Sequence, residues 1–349
     1  MDGVPATPLH QQTPLRESPR LSAVAGVDVL LKLENAQPGG GSFKIRGVGL
    51  LCQRASALWH AAGGLGGGLG GGGLGGGLHF VCSSGGNAGM ATAYAARRLG
   101  GRSTVFVPRS TASSTRERLQ EEGASVQVVG DAWDETNVHA LRVATEGGDG
   151  CCYVHPFDDP LLWEGHASLV HELKATLAAG SKPGAVVVSV GGGGLLCGVV
   201  RGLREVGGWG DVPVIAVETE GAHSLHAALS AGELVTLPAI TSVAKTLGAK
   251  RVAEQAFTLA REHVVFSEVV SDRDAIDAVQ RFLDDERMLV EPACGAALAA
   301  VYSGAVRRLV AEGRLGPLPG PVVAVVCGGS GVTLGQLREW REQLGMGPE

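Results

Sequence analysis

The chain has 349 residues, enough for two domains of average size or for one large two-lobed enzyme. Its hydrophobic content of 44%, charged content of 18% and formal net charge of -6 are those of a globular protein without a basic surface. We therefore predict a small molecule as the partner, and neither nucleic acid nor membrane.

The cysteines and the first residues of the sequence predict a cytoplasmic protein. No apolar run reaches the roughly 18 to 20 residues of a membrane helix, and the N-terminus lacks a basic start followed by an apolar core. The seven cysteines show no CxxC spacing and lie mostly in apolar segments. We expect reduced thiols, without disulfides or a zinc site.

From Leu78 onward, short β-branched runs alternate with amphipathic stretches, which is typical of parallel βαβ units. Strands are predicted at residues 79–83, 103–108, 125–130, 152–156, 185–190, 212–218 and 321–327. Helices are predicted at residues 43–55, 87–100 and 111–124, and after the glycines that follow residue 190. The sequence therefore predicts an α/β fold with open, mostly parallel sheets flanked by helices.

Two glycine-rich turns lie where such a sheet binds ligands, at the carboxyl end of a strand and before a helix. The strand Ala185–Val190 runs into Gly191–Gly194 and a helix that begins near Leu195, so backbone N–H groups could bind a phosphate. The sequence SSGGNAG, Ser83–Gly89, follows a strand in the same way and adds hydroxyls and an amide. This second turn suits a carboxylate.

The longest glycine run, Gly63–Leu78, has neither of these flanking features. Its leucines recur amid glycine, with no strand before them and no polar side chain between them. We interpret it as a low-complexity linker, and we predict disorder across Gly63–Gly77.

A dinucleotide site is an alternative for the turn at Gly191–Gly194. Glu218 ends the next strand, about 20 residues further on, where a ribose-binding acid falls in dinucleotide-binding folds. This signal is weak because the GxGxxG pattern itself is missing.

Lys44 is the candidate reactive group. It follows a glycine-rich turn in ENAQPGGGSFKIRG and begins a predicted helix. Apolar neighbours and the nearby Arg46 would disfavour its charged form, as the amine of a Schiff base requires. The alternative is an ordinary solvated lysine on a helix.

Five ordered motifs make the chain resemble the serine/threonine dehydratases that depend on pyridoxal phosphate (PLP). They are TPLRESPRLS (Thr13–Ser22), LKLENAQPGGGSFKIRG (Leu31–Gly47), SSGGNAG (Ser83–Gly89), SVGGGGLLCG (Ser189–Gly198) and VVCGGSG (Val325–Gly331). The resemblance covers the chain outside the glycine run. It implies the tryptophan-synthase β-like fold, fold type II, with two open, mostly parallel sheets in a large and a small domain.

The domains implied are a large PLP-binding domain, residues 1–37 and 159–349, and a small substrate-side domain, residues 38–158. The glycine run at residues 63–78 lies within the small domain. The resemblance also implies a homodimer and an amino-acid substrate. The activity implied is elimination of water and ammonia from L-serine to give pyruvate, and from L-threonine to give 2-oxobutanoate.

The resemblance assigns the cofactor contacts residue by residue. Lys44 would form a Schiff base with PLP and then remove the proton from Cα, with Phe43 packed near the cofactor ring. Asn87 would bond the ring hydroxyl. Cys327 would face the pyridine nitrogen, where a thiol supports a protonated ring less than a carboxylate does. The phosphate would be held by the N–H groups of Gly191, Gly192, Gly193, Gly194 and Leu195.

The substrate carboxylate is assigned to the turn after the first predicted strand. The residues implied are Ser83, Ser84, Gly85, Gly86, Asn87 and Ala88, again a backbone anion site. In racemases of the family a serine occupies the position of Gly85 and acts as a second base. Glycine has no proton to give, so dehydration is favoured over racemisation, and the relatives that carry glycine imply modest activity.

The resemblance further implies a monovalent-cation site, of the potassium type. Its ligands would be Glu218 with backbone carbonyls near Gly192, Ala222, Leu247 and Ala249. A solvent-exposed glutamate at a strand end is the alternative.

Two classes remain beside the lyase: a racemase-like enzyme, and a low-activity or non-catalytic homologue that binds PLP. The turn QPGGGSFK is one glycine longer than the family's usual QPxGSFK, which could shift the approach to Lys44.

Overall fold

The computed structural model describes residues 7–64, 77–316 and 318–347. The strands are β1 (Leu15–Glu17), β2 (Val29–Leu33), β3 (His79–Cys82), β4 (Arg102–Val107), β5 (Ser125–Val128), β6 (Cys151–Val154), β7 (Ala185–Ser189), β8 (Val214–Thr219), β9 (Val265–Val270) and β10 (Val322–Val326). The helices are α1 (Pro19–Ala25), α2 (Pro38–Gly41), α3 (Lys44–Ala61), α4 (Asn87–Arg98), α5 (Ser113–Glu121), α6 (Trp133–Glu146), α7 (Pro160–Thr176), α8 (Gly194–Glu205), α9 (Ser224–Ala231), α10 (Glu254–Glu262), α11 (Asp272–Glu286), α12 (Pro292–Tyr302), α13 (Ala305–Ala311) and α14 (Leu334–Gln343).

The chain divides into two compact units. The smaller unit contains the described residues up to Gln11 together with Gln37–Gly165, and the larger unit contains Gln12–Ala36 and the residues from His166 onward. The assignment of one unit to PLP and of the other to the substrate stays a prediction.

The smaller unit contains a four-stranded sheet in the order β5-β4-β3-β6, with every pair parallel. Its main core packs α3 and α4 on the sheet through apolar side chains such as Ile45, Phe80 and Ala91. Because β3 and β6 are neighbours, the turn after Cys82 and the turn after Val154 lie side by side at the carboxyl edge.

The larger unit contains a six-stranded sheet in the order β1-β2-β10-β7-β8-β9. Only β1 pairs antiparallel. Strands β7, β8 and β10 are buried along their whole length, as expected for parallel strands covered on both faces. Their adjacency brings three carboxyl ends together: the glycine turn after β7, Glu218 in β8 and Cys327 after β10.

The α/β fold with two parallel-dominated sheets is confirmed. All seven predicted strands are present, with ends that differ by one or two residues. Strands β1, β2 and β9 were not predicted. The three predicted helices correspond to α3, α4 and α5, and α8 follows the second glycine turn.

Contrary to the expectation from the sequence, one described segment is apolar and long enough to cross a membrane by length and composition alone. It is Pro292–Ala311, and 72% of its most apolar part is buried inside the protein. Helix α12 within it is buried at every residue, and Gly304 separates it from α13. These are the properties of core helices.

The glycine run predicted to be a disordered linker falls mostly outside the described residues, because 65–76 are not among them. Its two described edges are sterically restricted. A Cβ at Gly64 would lie 2.3 Å from the Trp59 ring, and a Cβ at Gly77 would lie 2.4 Å from the carbonyl oxygen of Gly100. A larger residue at either edge would force its neighbours to shift.

Candidate active site

Lys44 is the first residue of α3 and follows the turn α2. The three glycines of α2 all have left-handed backbone, with φ of 68° at Gly39, 99° at Gly40 and 62° at Gly41. A Cβ at Gly39 would lie 2.8 Å from the Tyr94 side chain. The additional glycine is thus accommodated by a left-handed turn that other residues rarely adopt.

The Lys44 ammonium has a defined position in the smaller unit. Its Nζ donates to the carbonyl oxygen of Pro156 at 2.5 Å and lies 5.2 Å from the centroid of the Phe43 ring. Arg46, two residues further along the helix, is fully buried. The pKa of His155 is lowered to about 4. Burial is the larger cause, and the positive charge of Lys44 adds to it.

The turn His155–Asp158 that carries the Pro156 carbonyl is closed by a side chain. The Nδ1 atom of His155 accepts from the N–H groups of Phe157 at 3.1 Å and Asp158 at 2.7 Å. The imidazole also contacts the rings of Trp133, Tyr153 and Phe157 edge to face. A neutral histidine fits this position, because Nδ1 must stay unprotonated to accept.

The turn Ser83–Gly86 connects β3 to α4. The first intrahelical bond runs from Met90 N–H to the Gly86 carbonyl oxygen at 3.1 Å, so the N–H groups ahead of it make no bond within the helix. A Cβ at Gly89 would lie 2.0 Å from the Ser84 carbonyl oxygen, which fixes the turn close against the helix. This is the geometry of a backbone anion site at a helix N-terminus.

The two serines of this turn have different surroundings. Ser84 lies partly exposed, and its Oγ accepts from the Gly86 N–H at 3.3 Å. Ser83 is fully buried, and its Oγ donates to Asn137 Oδ1 at 2.8 Å and lies 3.2 Å from the Tyr153 hydroxyl. The Ser83 hydroxyl therefore faces the protein interior, so it holds the turn in place.

Asn137 and Tyr153 were not predicted from the sequence. Asn137 lies on α6 and Tyr153 on β6, and the Tyr153 hydroxyl also donates to Asn137 Oδ1. Spacing along the chain gives no signal for this contact, because 54 residues separate Ser83 from Asn137. A tyrosine within an otherwise apolar strand is the one available indication that a buried partner exists.

In the larger unit, the turn after β7 forms a cradle of backbone. Gly193 has φ of 93°, and a Cβ there would lie 2.3 Å from the Cβ of Ala256. A Cβ at Gly191 would lie 3.0 Å from the backbone of Leu247. The first bond of α8 runs from Cys197 N–H to the Gly193 carbonyl oxygen at 2.9 Å, so the N–H groups of Gly194 and Leu195 precede the helical ladder.

Cys327, at the end of β10, lies in a buried polar cluster. The pKa of its thiol is raised well above the ordinary value, mainly by a hydrogen bond with Cys294 and by burial. The charge of Glu291 adds to this effect, and a hydrogen bond with Ser189 opposes it. The thiol therefore stays neutral at ordinary pH.

Glu291 is a third residue that was not predicted from the sequence. It is buried at the start of α12, where it accepts from the Gly331 N–H at 2.6 Å and from Thr246 Oγ1 at 3.0 Å. A Cβ at Gly329 would lie 2.2 Å from the Glu291 carboxyl carbon. The loop after Cys327 therefore wraps closely around this carboxylate.

Glu218 is fully buried, so the solvent-exposed alternative is wrong. Burial raises its pKa to about 8, against the effect of N–H donors from Leu225 at 2.9 Å and His226 at 2.7 Å. These two bonds cap the start of α9. Among the described residues, no group of three or more His, Cys, Asp or Glu side chains could hold a metal ion, so a cation here would depend on backbone carbonyls.

The residues present fit a phosphate-bearing pyridine cofactor. The larger unit offers uncapped backbone N–H groups at the start of α8, in a turn whose space a Cβ would fill, and a neutral thiol at the end of the neighbouring strand β10. The smaller unit offers a primary amine at Lys44. Two residues before it, the Ser42 hydroxyl is buried and has no hydrogen-bond partner among the described residues.

Comparison with known proteins gives the same picture. The family model described as "Pyridoxal-phosphate dependent enzyme" matches residues 6–328. The chain is 58% identical to human L-serine dehydratase/L-threonine deaminase over 97% of both chains. It is 56% identical to the mouse protein named serine dehydratase-like, over 98% of this chain and 97% of that one.

A solved structure agrees with these sequence matches. The L-serine ammonia-lyase of the fungus Rhizomucor miehei matches with a TM-score of 0.83 and 36% identity, over 97% of this chain and 99% of that chain. The fold is therefore fold type II, and the chain belongs to the family of pyridoxal-phosphate-dependent enzymes.

Proposed function

We propose that this chain is an L-serine/L-threonine ammonia-lyase, which converts L-serine to pyruvate and ammonia and L-threonine to 2-oxobutanoate and ammonia. The observation that carries the proposal is the 58% identity, over nearly the full length of both chains, to a human protein named for both activities. The similarity of the fold to a fungal L-serine ammonia-lyase supports it.

Lys44 is the residue proposed to react. Its amine would hold the cofactor and would accept the proton from the substrate Cα. Pyridoxal phosphate, when bound, would accept the electron pair of the broken Cα–H bond. Loss of the β-hydroxyl as water and hydrolysis of the released enamine then give the keto acid and ammonia.

The remaining cofactor contacts follow from the chemistry of the donors. The N–H groups of the turn Gly191–Leu195 are proposed to bind the phosphate, supported by their place at the uncapped start of α8. Cys327 is proposed to lie at the pyridine nitrogen, Asn87 at the ring hydroxyl and Phe43 beside the ring. A neutral thiol there would give a protonated pyridine little support, which would favour elimination.

The turn from Ser84 to Ala88 is proposed to bind the substrate carboxylate. The N–H groups ahead of α4 support this role, since a carboxylate is stabilised at a helix N-terminus. Ser83 is proposed to contribute through its place below the turn, because its hydroxyl already bonds Asn137.

Modest activity is a narrower proposal, supported by Gly85 and by the similarity to the dehydratase-like protein. A Cβ at Gly85 would lie 3.1 Å from Thr111 Cγ2 and 3.3 Å from Val107 Cγ1, so a larger residue would press on both. Glycine also provides no second base, which disfavours racemisation.

We also propose a potassium-type cation held by Glu218 and by backbone carbonyls near Ala222 and Leu247, supported by the burial of that carboxylate. The seven cysteines are free thiols, which supports a reducing, cytoplasmic location. A homodimer is proposed from the family resemblance alone.

The test is turnover of L-serine and L-threonine by the PLP-loaded protein, with pyruvate and 2-oxobutanoate as the measured products. Lys44→Ala should abolish both products. The matched control is Lys182→Ala, because Lys182 is paired with Asp211 on the surface of the larger unit. Absence of both keto acids from the wild-type reaction would refute the proposal in favour of a non-catalytic PLP-binding homologue.

A further inference from the structure

The carboxyl end of β6 contacts both reactive parts of the smaller unit. Tyr153, in the strand, contacts Ser83 at the base of the turn before α4. The carbonyl oxygen of Pro156, in the turn that follows, accepts a hydrogen bond from the Lys44 ammonium. His155 lies between them and packs edge to face on the Tyr153 ring, with 6.0 Å between ring centroids. One short segment therefore determines the positions of the amine and of the serine turn.

The contact with the serine turn is a three-membered hydrogen-bond network. The hydroxyls of Ser83 and Tyr153 both donate to the single atom Asn137 Oδ1, and their oxygen atoms lie 3.2 Å apart. A carbonyl oxygen has two lone pairs, so both donors can be satisfied at once. The three side chains come from three different elements, namely the end of β3, α6 and β6.

The network is buried at its Ser83 end, while Asn137 and Tyr153 are each partly exposed. Ser83 is fully buried, whereas Ser84, Gly85 and Gly86 are partly exposed. Removing a buried hydroxyl partner leaves the remaining polar groups unsatisfied, and the backbone that carries them then shifts. Such a shift would also move the N–H groups of Ser84–Gly86, which follow Ser83 in the chain.

We propose that Tyr153 and Asn137 are positioning residues that act through Ser83 to hold the turn Ser84–Gly86 in its carboxylate-binding conformation. The identity of the carboxylate rests on the proposed function. Loss of either positioning residue should weaken carboxylate binding and leave the rate of the chemical step nearly unchanged.

The experiment compares Tyr153→Phe with the wild type as PLP-loaded proteins. Calorimetry with propionate, a carboxylate without an amine or a leaving group, measures the turn alone. Loss of one hydrogen bond predicts a Kd that is ~3- to 10-fold higher. With L-serine, the variant should show a similar rise in KM and a kcat within about twofold of the wild type.

Two further network variants and one control variant make the result specific. Ser83→Ala should weaken propionate binding to the same degree, and the double variant should be no weaker than either single one, because both remove the same network. The control is Tyr302→Phe, which removes a buried tyrosine hydroxyl that donates to Asp285 at 2.9 Å in the larger unit. It should bind propionate as the wild type does.

The outcomes separate this inference from the proposed function. Unchanged propionate binding by Tyr153→Phe, an equal loss in Tyr302→Phe, or no binding by the wild type would each overturn the inference. If the wild type forms no keto acid, and Tyr153→Phe and Ser83→Ala bind propionate more weakly while Tyr302→Phe does not, the proposed function fails and the positioning role stands.

Discussion

The Nζ atom of Lys44 lies 2.5 Å from the carbonyl oxygen of Pro156, so the first residue of α3 is bonded to the turn that follows β6. A backbone carbonyl can only accept, which makes this contact specific for an amine that carries protons. The turn itself is closed by His155 Nδ1. The position of the candidate reactive amine therefore depends on the packing of β6.

The glycine cradle predicts that Gly193→Ala weakens PLP binding. The φ of 93° and the 2.3 Å approach to the Ala256 Cβ force the turn to move, and its N–H groups move with it. Loss of one hydrogen bond to a charged group costs ~1.5 to 3 kcal/mol, which corresponds to a Kd that is ~10- to 100-fold higher. Titration of the apoprotein with PLP, followed by absorbance, measures this change.

Gly210→Ala is the matched control, because nothing lies within 4 Å of a Cβ there and its φ is not in the left-handed region. Equal PLP affinity in Gly193→Ala and the wild type would show that the turn does not bind the phosphate.

We expect the folded protein to lose stability in mild acid because of His155. Its pKa of about 4 in the folded protein is below the ordinary 6.5, so the unfolded chain binds more protons between these values. The free energy of unfolding is thus fully retained above pH 6.5 and falls as the pH drops towards 4, by about 1.4 kcal/mol for each unit of pKa difference at most. Urea unfolding at pH 7 and pH 5 measures the loss.

His155→Asn keeps an acceptor for the two N–H groups of the turn but does not titrate in this range. We expect its urea midpoint to depend less on pH than that of the wild type. His79 and His263, whose pKa values are also lowered by burial, remain in both proteins and contribute equally. Parallel pH profiles for the two proteins would rule out His155 as a source of the acid sensitivity.

We expect the thiols to be labelled in an order set by their exposure and pKa. Cys327 is 6% exposed and its pKa is raised well above the ordinary value, so little reactive thiolate is present. Cys151 is less buried; burial raises the pKa of its thiol, and the charge of Arg102 lowers it in part. Iodoacetamide at pH 8, with mass spectrometry of the peptides, should label Cys151 first. Earlier labelling of Cys327 would contradict the buried, neutral thiol.

We expect deletion of the glycine run to leave PLP binding unchanged. A chain lacking residues 65–76, with a short glycine–serine bridge between Gly64 and Gly77, should bind PLP with the wild-type Kd, since loop length changes closure free energy only slightly. The comparison uses the same absorbance titration. A Kd more than about tenfold higher would show that the run contributes to the site.

The sequence was informative where chemistry is local. Runs such as Ala185–Ser189, buried on both faces, are apolar throughout, and the glycine turns follow them directly. Strand β9 was missed because its residues are half-buried and include Ser267 and Glu268, and β1 because it has only three residues at a sheet edge. Periodicity is weak in such strands.

The supporting residues could not be predicted, because they meet only after folding. Glu291 precedes a proline at a helix start, which gives no indication that the loop after Cys327 surrounds its carboxylate. Tyr153 and Asn137 reach Ser83 from separate elements. Their convergence is set by sheet order, and sequence spacing carries no record of it.

Borohydride reduction of the PLP-loaded protein, followed by peptide mass spectrometry, tests directly whether Lys44 carries the cofactor. We expect one phosphopyridoxyl adduct, on the peptide that contains Lys44, and none in Lys44→Ala. An adduct on another lysine, or no adduct in the wild type, would contradict it.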